Sequence, residues 1–452
     1  MIIEWKSILL VLAIVFVALV VIKILEKKVD LKPEIKRKLF HVSMGITMLA
    51  FPHIFSSTWS VGLLGVIALA IMIALKNTKL KDSLGTILYS VNRESLGEIF
   101  FVISVFLIFY LSKGDKVLYS IPILILTFAD SAAAIIGKNY GKNNLAQSSE
   151  DTKSIEGSFI FFVVAFMATL VPLLLWTEVG REETLIISGI VGFNVALIEM
   201  ISHTGNDNLL IPLTTYALVA THIGLGLTEL RTNLIILIVI FVLVTIANRV
   251  KAWSKIAVAE TFVVGYLTMT LYGAYAIIPP LMVVFTIMRF PKRREIEKKN
   301  VYDARILETN IIIPIAICGI VAVTGWQKQF FMVYATSYAL HLIINSFVRF
   351  KYFIKLSELD SALLAISKGI GFVFIPSLII QKLIFKEITN MPMLITMVIA
   401  CGLSAFMIYL KKKDVKIEET SMTNAFMQMR IVLKLTIIVS IMQYLSDMNY
   451  IF

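Results

Sequence analysis

Charge is what this sequence has least of. Asp, Glu, Lys and Arg make up 16% of its residues, against about 25% in soluble domains. Hydrophobic residues reach 58%, and the mean hydropathy is +0.87. A soluble globular enzyme, a fibrous chain and a disordered chain are all excluded by that balance. Cysteine is nearly absent: Cys318 and Cys401 each fall inside an apolar run. No disulfide framework and no metal-ligand spacing can be built from them. The alternating ten-residue pattern of membrane β-strands is missing too, since runs such as residues 8–22 are continuously apolar. That first run has only Lys6 before it and no small-residue cleavage site after it. It reads as a retained helix and not as a signal peptide. No short-period repeat and no low-complexity tract is visible.

What is present is a ladder of apolar runs. They fall near 8–25, 39–54, 59–75, 98–112, 119–137, 158–176, 184–201, 209–225 and 233–248. A second set follows near 256–272, 276–289, 309–324, 330–348, 360–380, 392–410 and 430–447. The expected fold is all-α: a polytopic integral membrane helical bundle of about 16 transmembrane helices, with 14–17 allowed by span length. The net charge of +12 sits in the short loops between runs. That pattern signals topology and attraction to anionic lipid or a phosphorylated substrate, and not a nucleic-acid partner. With the N-terminus outside, the inside loops of the first nine spans carry roughly 16 Lys and Arg against 5 outside. Both termini are therefore expected outside. Polar chemistry is concentrated in the first half, giving expected domains at 1–250 and 251–452.

Four polar constellations stand out. In RKLFH, Arg37 and His41 are four residues apart and Lys38 is beside them. They share a helix end that could hold phosphate, or form a basic stop-transfer loop with a snorkelling histidine. In FADSAAAIIGKNYG, Asp130 lies within an apolar run, where a carboxylate is costly unless it faces a polar site. Gly137, Lys138 and Gly141 follow and read as a small basic turn. A carboxylate ahead of such a turn suits a metal-bound phosphate, and equally a polar residue sealing a bundle. In TKSIEGS, Lys153, Ser154, Glu156 and Gly157 precede a span. They form either an anion site at a helix N-terminus or an ordinary start capped by Ser154. In IEMISHTGNDNLLIP, Glu199, His203, Asp207 and Asn208 cluster without any Lys or Arg. They suit a divalent metal carried on a nucleotide, or a polar bend at Gly205–Asn206. Asn92, Arg93 and Glu98 form a weaker group. The topology drawn from Lys and Arg alone places all four constellations on one face of the membrane.

In combination, RKLFH, DSAAAIIGKNYG, KSIEGS and GNDNLLIP resemble the polyprenol kinase family. That group includes dolichol kinases, phytol kinases and CTP-dependent diacylglycerol kinases, and is related to phosphatidate cytidylyltransferases. The likeness covers roughly residues 30–225. The long C-terminal signature of the cytidylyltransferases is not seen, which favours a kinase. The resemblance implies a CTP-dependent kinase of a membrane lipid alcohol, with Mg²⁺ as cofactor, at the cytoplasmic face of a bacterial plasma membrane. It implies metal binding by Asp130 and Asp207, and catalytic roles for these two with Lys153 and Glu199. Nucleotide contacts fall to Arg37, Lys38, His41, Gly137, Lys138, Gly141, Ser154, Glu156, Gly157 and Asn208. The alternatives are CDP-diacylglycerol synthesis and, on helix number, a transporter. A transporter wants its charges at the midplane in both halves, whereas here they crowd one half. The second half reads as an accessory bundle for lipid entry or homodimer contacts.

Overall fold

A computed structural model describes residues 3–29, 33–77, 97–142, 153–202, 205–247, 255–289, 304–386, 389–411 and 422–447. His203, Asn92, Arg93 and the 250–251 domain boundary lie outside them. Among the described residues the chain is helical and forms no strand. Among the described residues nine helices are long and apolar enough to cross a membrane, and five shorter ones are apolar as well. The all-α polytopic membrane bundle expected from the apolar runs is what the chain forms.

The chain divides into two compact units, Met1–Leu237 and Ile238–Phe452. Unit 1 contains α1 (Trp5–Lys28), α2 (Pro33–Leu49), α3 (Thr58–Asn77) and α4 (Gly97–Ser112). Next comes one 25-residue helix, Lys116–Tyr140. It consists of α5 (Lys116–Leu124), a π-helical segment (Ile125–Ala129) and α6 (Asp130–Tyr140). Three more follow: α7 (Ile155–Trp176), α8 (Arg181–Ile201) and α9 (Asp207–His222). The division between the units falls within α10 (Leu227–Ala247).

The middle of unit 1 is filled by fully buried apolar residues. Ile121, Leu126, Phe161, Ile190, Val195 and Leu218 are among them. Hydroxyls placed in this apolar interior bond to carbonyls of their own helix. Thr127 donates to Ile123 O (2.6 Å), Thr169 to Ala165 O (2.9 Å) and Thr215 to Ile211 O (2.8 Å). Each of these three hydroxyls is thereby satisfied where water is absent.

Contacts across loops fix which helix ends lie together. At one end of unit 1, Glu4 N donates to Ser60 Oγ (3.0 Å) and Tyr216 Oη to Leu111 O (2.8 Å). Arg231 Nε donates to Glu182 Oε1 (3.0 Å). At the other end, Asn208 Nδ2, in the first turn of α9, donates to the carbonyl of Gly97, the first residue of α4 (2.9 Å). Consecutive helices of unit 1 alternate in direction.

Two local expectations change. RKLFH is not a loop: α2 begins at Pro33, so Arg37, Lys38 and His41 lie in its first turns. Phe40, Met44 and Met48, four residues apart, are buried and draw these turns into the helix. The basic turn expected at 137–141 is likewise the end of α6, with Gly141 as its C-cap.

Unit 2 contains α11 (Lys255–Tyr272), α12 (Ile278–Arg289), α13 (Ala304–Thr324) and α14 (Gln327–Val348). A π segment (Arg349–Phe353) extends α14. Beyond it lie α15 (Glu358–Gly369), a second π segment (Ile370–Phe374) and α16 (Ile375–Phe385). The unit closes with α17 (Met391–Leu410) and α18 (Met422–Asp447). α14 is its axis: every residue from Phe330 to Ile344 is buried.

Candidate functional site

The polar residues of unit 1 converge at the end where α2, α4, α7 and α9 begin and α6 and α8 finish. Asp130 is the first residue of α6, immediately after the π segment. It lies ten residues, about 15 Å, from the end of its helix. π segments inside α-helices are frequent at functional sites because they rotate the following residues off the regular face. α2 packs against this one closely at Gly45. A Cβ there would fall 2.0 Å from Thr127 Oγ1, so a larger residue would push α2 away.

That close approach puts Lys38 and His41 on Asp130. Lys38 Nζ is 2.6 Å from Asp130 Oδ2, and Lys38 is only 4% exposed. His41 Nε2 lies 3.6 Å from the same oxygen and 3.0 Å from the carbonyl of Leu126, inside the π segment. A carbonyl can only accept, so that nitrogen carries the proton. Phe101 of α4 backs the imidazole, with ring centroids 5.2 Å apart.

A second ion pair lies alongside. Lys153, just ahead of α7, places Nζ 2.9 Å from Glu199 Oε1 and also donates to the Glu199 carbonyl. Ser158 Oγ donates to the other carboxylate oxygen of Glu199 (3.3 Å). Burial pushes the Lys153 ammonium down, but the carboxylates of Glu199, Asp207 and Asp130 outweigh it and hold Lys153 above its usual value. Three carboxylates from three different helices thus act on one ammonium. Arg37 adds its field at Asp130.

The glycines have a packing role. Ser154 caps α7 by accepting from Gly157 N (3.1 Å). Where α6 crosses α7, a Cβ on Gly157 would meet Ala133 O at 3.2 Å and Gly137 Cα at 3.3 Å. A Cβ on Gly141 would fall 2.6 Å from Ser154 Oγ. Gly137, Gly141 and Gly157 therefore let α6 and α7 touch backbone to backbone, which sets Lys153 near Asp130. Glu156 is half-buried in the first turn of α7, and Lys138 is exposed on α6. Asp207 opens α9, its Oδ1 accepting from Asn208 N (3.0 Å). Sequence reasoning missed the π segment, Ser158 and Gly45. The visible signs were Pro122 just upstream and a small residue one turn past His41.

The donor set is oxygen-rich and suits a hard divalent cation, which needs one or two carboxylates when it arrives on phosphates. Among the described residues no three His, Cys, Asp or Glu side chains form a metal cage.

Fold and site define the class: an integral membrane helical protein with paired charges gathered at one end of its first unit. No family model matches the chain, and no solved structure matches it. The chain is similar to a phytol kinase of Synechocystis sp., with 30% identity over 189 residues, 41% of this chain and 78% of that protein. It belongs to the polyprenol-kinase-like family of membrane lipid kinases. From 189 residues at 78%, the relative is about 240 residues long, close to the 237 of unit 1.

Proposed function

We propose that unit 1 transfers the γ-phosphoryl group of CTP to the hydroxyl of a membrane lipid alcohol at the cytoplasmic face. The observation that carries this reading is the pairing of Lys38 with Asp130 and Lys153 with Glu199, with Asp130, Glu199 and Asp207 all acting on Lys153. Buried charge inside a bilayer is expensive and is kept where chemistry uses it. Phosphoryl transfer asks a protein for positioning and charge neutralisation, which mobile lysines beside carboxylates supply.

In this reading Asp130 and Asp207 would hold Mg²⁺, which supplies charge neutralisation on the phosphate oxygens. Lys38, Arg37 and Lys153 bind phosphate oxygens, and Ser154 and Gly157 shape the start of α7 beneath them. The alcohol oxygen bonds to the γ-phosphorus, the bond to the β-bridging oxygen breaks, and the hydroxyl proton passes to Glu199 or Asp207. Sidedness rests on the excess of Lys and Arg in the loops at this end. The test is a panel of nucleotides against lipid alcohols with purified protein in detergent. A lipid monophosphate formed with CTP supports the reading. A CDP-lipid made from phosphatidate, or no lipid product with any pair, overturns it.

A further inference from the structure

Unit 2 holds a buried cation that nothing above uses. Lys368 lies ten residues, about 15 Å, into the apolar helix Glu358–Phe385, and it is 8% exposed. A charge at that depth in a membrane helix is costly and marks a site. Arg349, which opens the π segment after α14, is near enough for its guanidinium to repel the Lys368 ammonium. Both cations abut π segments, Arg349 at the start of one and Lys368 two residues before the other. Among the described residues the only other π segment is the one ahead of Asp130. Helix geometry adds two serines. α14 and α15 form an antiparallel hairpin, touching where a Cβ on Gly369 would meet Ile343 and Ala339 O (3.1 Å). At about 100° per residue, Ser346 and Arg349 lie roughly 60° and 120° round α14 from Ile343. Ser361 and Lys368 lie roughly 80° and 100° round α15 from Gly369, in the same sense and so on the same flank of the hairpin. Helical side chains lean toward the start of their helix, so Lys368 leans toward Ser361 and Arg349 toward Ser346. Ser346 and Ser361 are both buried, and among the described residues neither Oγ has a hydrogen-bond partner. By contrast Ser337, Ser377 and Ser404, buried in the same unit, bond to Tyr334 O (2.7 Å), Val373 O (2.6 Å) and Cys401 O (2.7 Å). A buried hydroxyl left bare is destabilising until something meets it.

We propose that Ser346, Arg349, Ser361 and Lys368, on one flank of the α14–α15 hairpin, form a binding site for a phosphate monoester. The site belongs to unit 2 alone and stands apart from the lipid-kinase reading of unit 1. Its charge calls for an anion. Residues 349–368 hold Arg349, Lys351, Lys355 and Lys368 against Glu358 and Asp360, a net +2, and Glu358 pairs with Lys351 (3.5 Å). A phosphate monoester brings close to two negative charges and three strong acceptor oxygens. The guanidinium fork takes two oxygens, the ammonium acts as a point charge, and the two hydroxyls donate to what is left. A carboxylate or a phosphodiester, with one charge, leaves one of the two cations uncompensated. Basic pockets between membrane helices hold lipid head groups in this way. A lipid and a water-soluble ester present the same group to the site, and binding separates them.

The test is equilibrium binding to the purified full-length protein in detergent, with radiolabelled dioleoyl phosphatidate in one arm and radiolabelled glycerol 3-phosphate in the other. Saturable binding is expected in at least one arm, with dioleoyl phosphatidylglycerol competing about tenfold less well than phosphatidate. Binding of phosphatidate alone assigns the site to a lipid-borne ester, and binding of glycerol 3-phosphate to a soluble one. Lys368→Met and Arg349→Met should each weaken binding about tenfold or more. Lys355→Gln, exposed at the same end, should change it by less than about threefold. Ser346→Ala and Ser361→Ala should weaken binding while the ligand-free protein melts no lower than wild type, because each variant removes a bare buried hydroxyl. A serine that serves packing alone would lower the melting temperature and leave affinity unchanged. No saturable binding in either arm, equal affinity for phosphatidylglycerol, or equal losses in Lys355→Gln and Lys368→Met would overturn the site. Should Lys368→Met fail to fold, the two serine variants decide: unchanged affinity in both overturns it.

Discussion

The two units bury polarity in different ways. Unit 1 brings two short ion pairs from α2, α6, α7 and α8 to one end. The axis of unit 2, α14, is more deeply buried but carries neutral polar groups: Tyr334, Ser337, Tyr338 and His341. Two hydroxyls at this axis bond to backbone carbonyls, Tyr334 Oη of α14 to Ala276 O and Tyr272 Oη of α11 to Gln327 O, each at 2.9 Å. Unit 2 also buries Glu260 on α11 and Lys368 on α15. A tyrosine bonded to a carbonyl locks a helix in place; a lysine beside a carboxylate can exchange partners for an anion. The difference is the ground on which the proposed chemistry is assigned to unit 1 and packing to α14.

The largest expected effect breaks the comparison directly. Lys38→Met leaves the Asp130 carboxylate buried without its ammonium and should destabilise unit 1 by about 3–5 kcal/mol, read as thermal unfolding in detergent. Adding Asp130→Asn should recover most of that stability but none of the activity. If Lys38→Met melts like the wild type, the pair is not buried in the functional state.

The next effect sharpens the assignment within unit 1. Lys153→Gln should lower kcat/KM for nucleotide by about 10²–10³, while Lys142→Gln, at an exposed position past α6, should change it by less than about threefold. Lys153→Arg should rescue in part, because a planar guanidinium cannot reproduce a compact ammonium. Equal losses for the two Gln variants would mean that the loop acts through its overall charge.

Smaller still is the cost in unit 2. Tyr334→Phe removes the bond to Ala276 O and should lower stability by about 1–3 kcal/mol, with kcat unchanged. A fall in kcat would bring α14 into the reaction. The smallest effect is at Glu4. Burial opposes ionisation of its carboxylate, but N–H donors of Ser56 (3.0 Å) and Ser57 (3.2 Å) prevail and hold its pKa below the usual 4.5. Its contribution is therefore present above the usual glutamate range and lost as pH falls through its lowered value. Wild type should lose melting temperature at acid pH by slightly more than Glu4→Gln, and parallel curves would count against the tie.

Much of this was legible from residues. The apolar runs marked the helices because lipid leaves no other way to pair the backbone. Asp130 stood out as a charge too costly to bury idly, while Lys38, Lys153 and Glu199 were visible only as members of polar constellations near span ends. Their pairing was hidden, since Lys38 and Asp130 lie 92 positions apart and no local period links them. The glycines at 137, 141 and 157 signalled closeness, but sequence could not say whether to a phosphate or to another helix. The crossing of α6 and α7 supplies the second answer. The π segment left only Pro122 upstream as a trace, because its own residues differ from an α-helix only in hydrogen-bond register.

The central claim is that Asp130 serves chemistry and not only packing. The measurement is phosphoryl transfer from CTP to a C20 alcohol by purified Asp130→Asn, alongside its thermal unfolding and elution profile. The variant is isosteric and removes the charge alone. The account predicts a protein that is folded, inserted and inactive, down by at least about 10²-fold. Turnover within about threefold of wild type in a normally folded variant would contradict it.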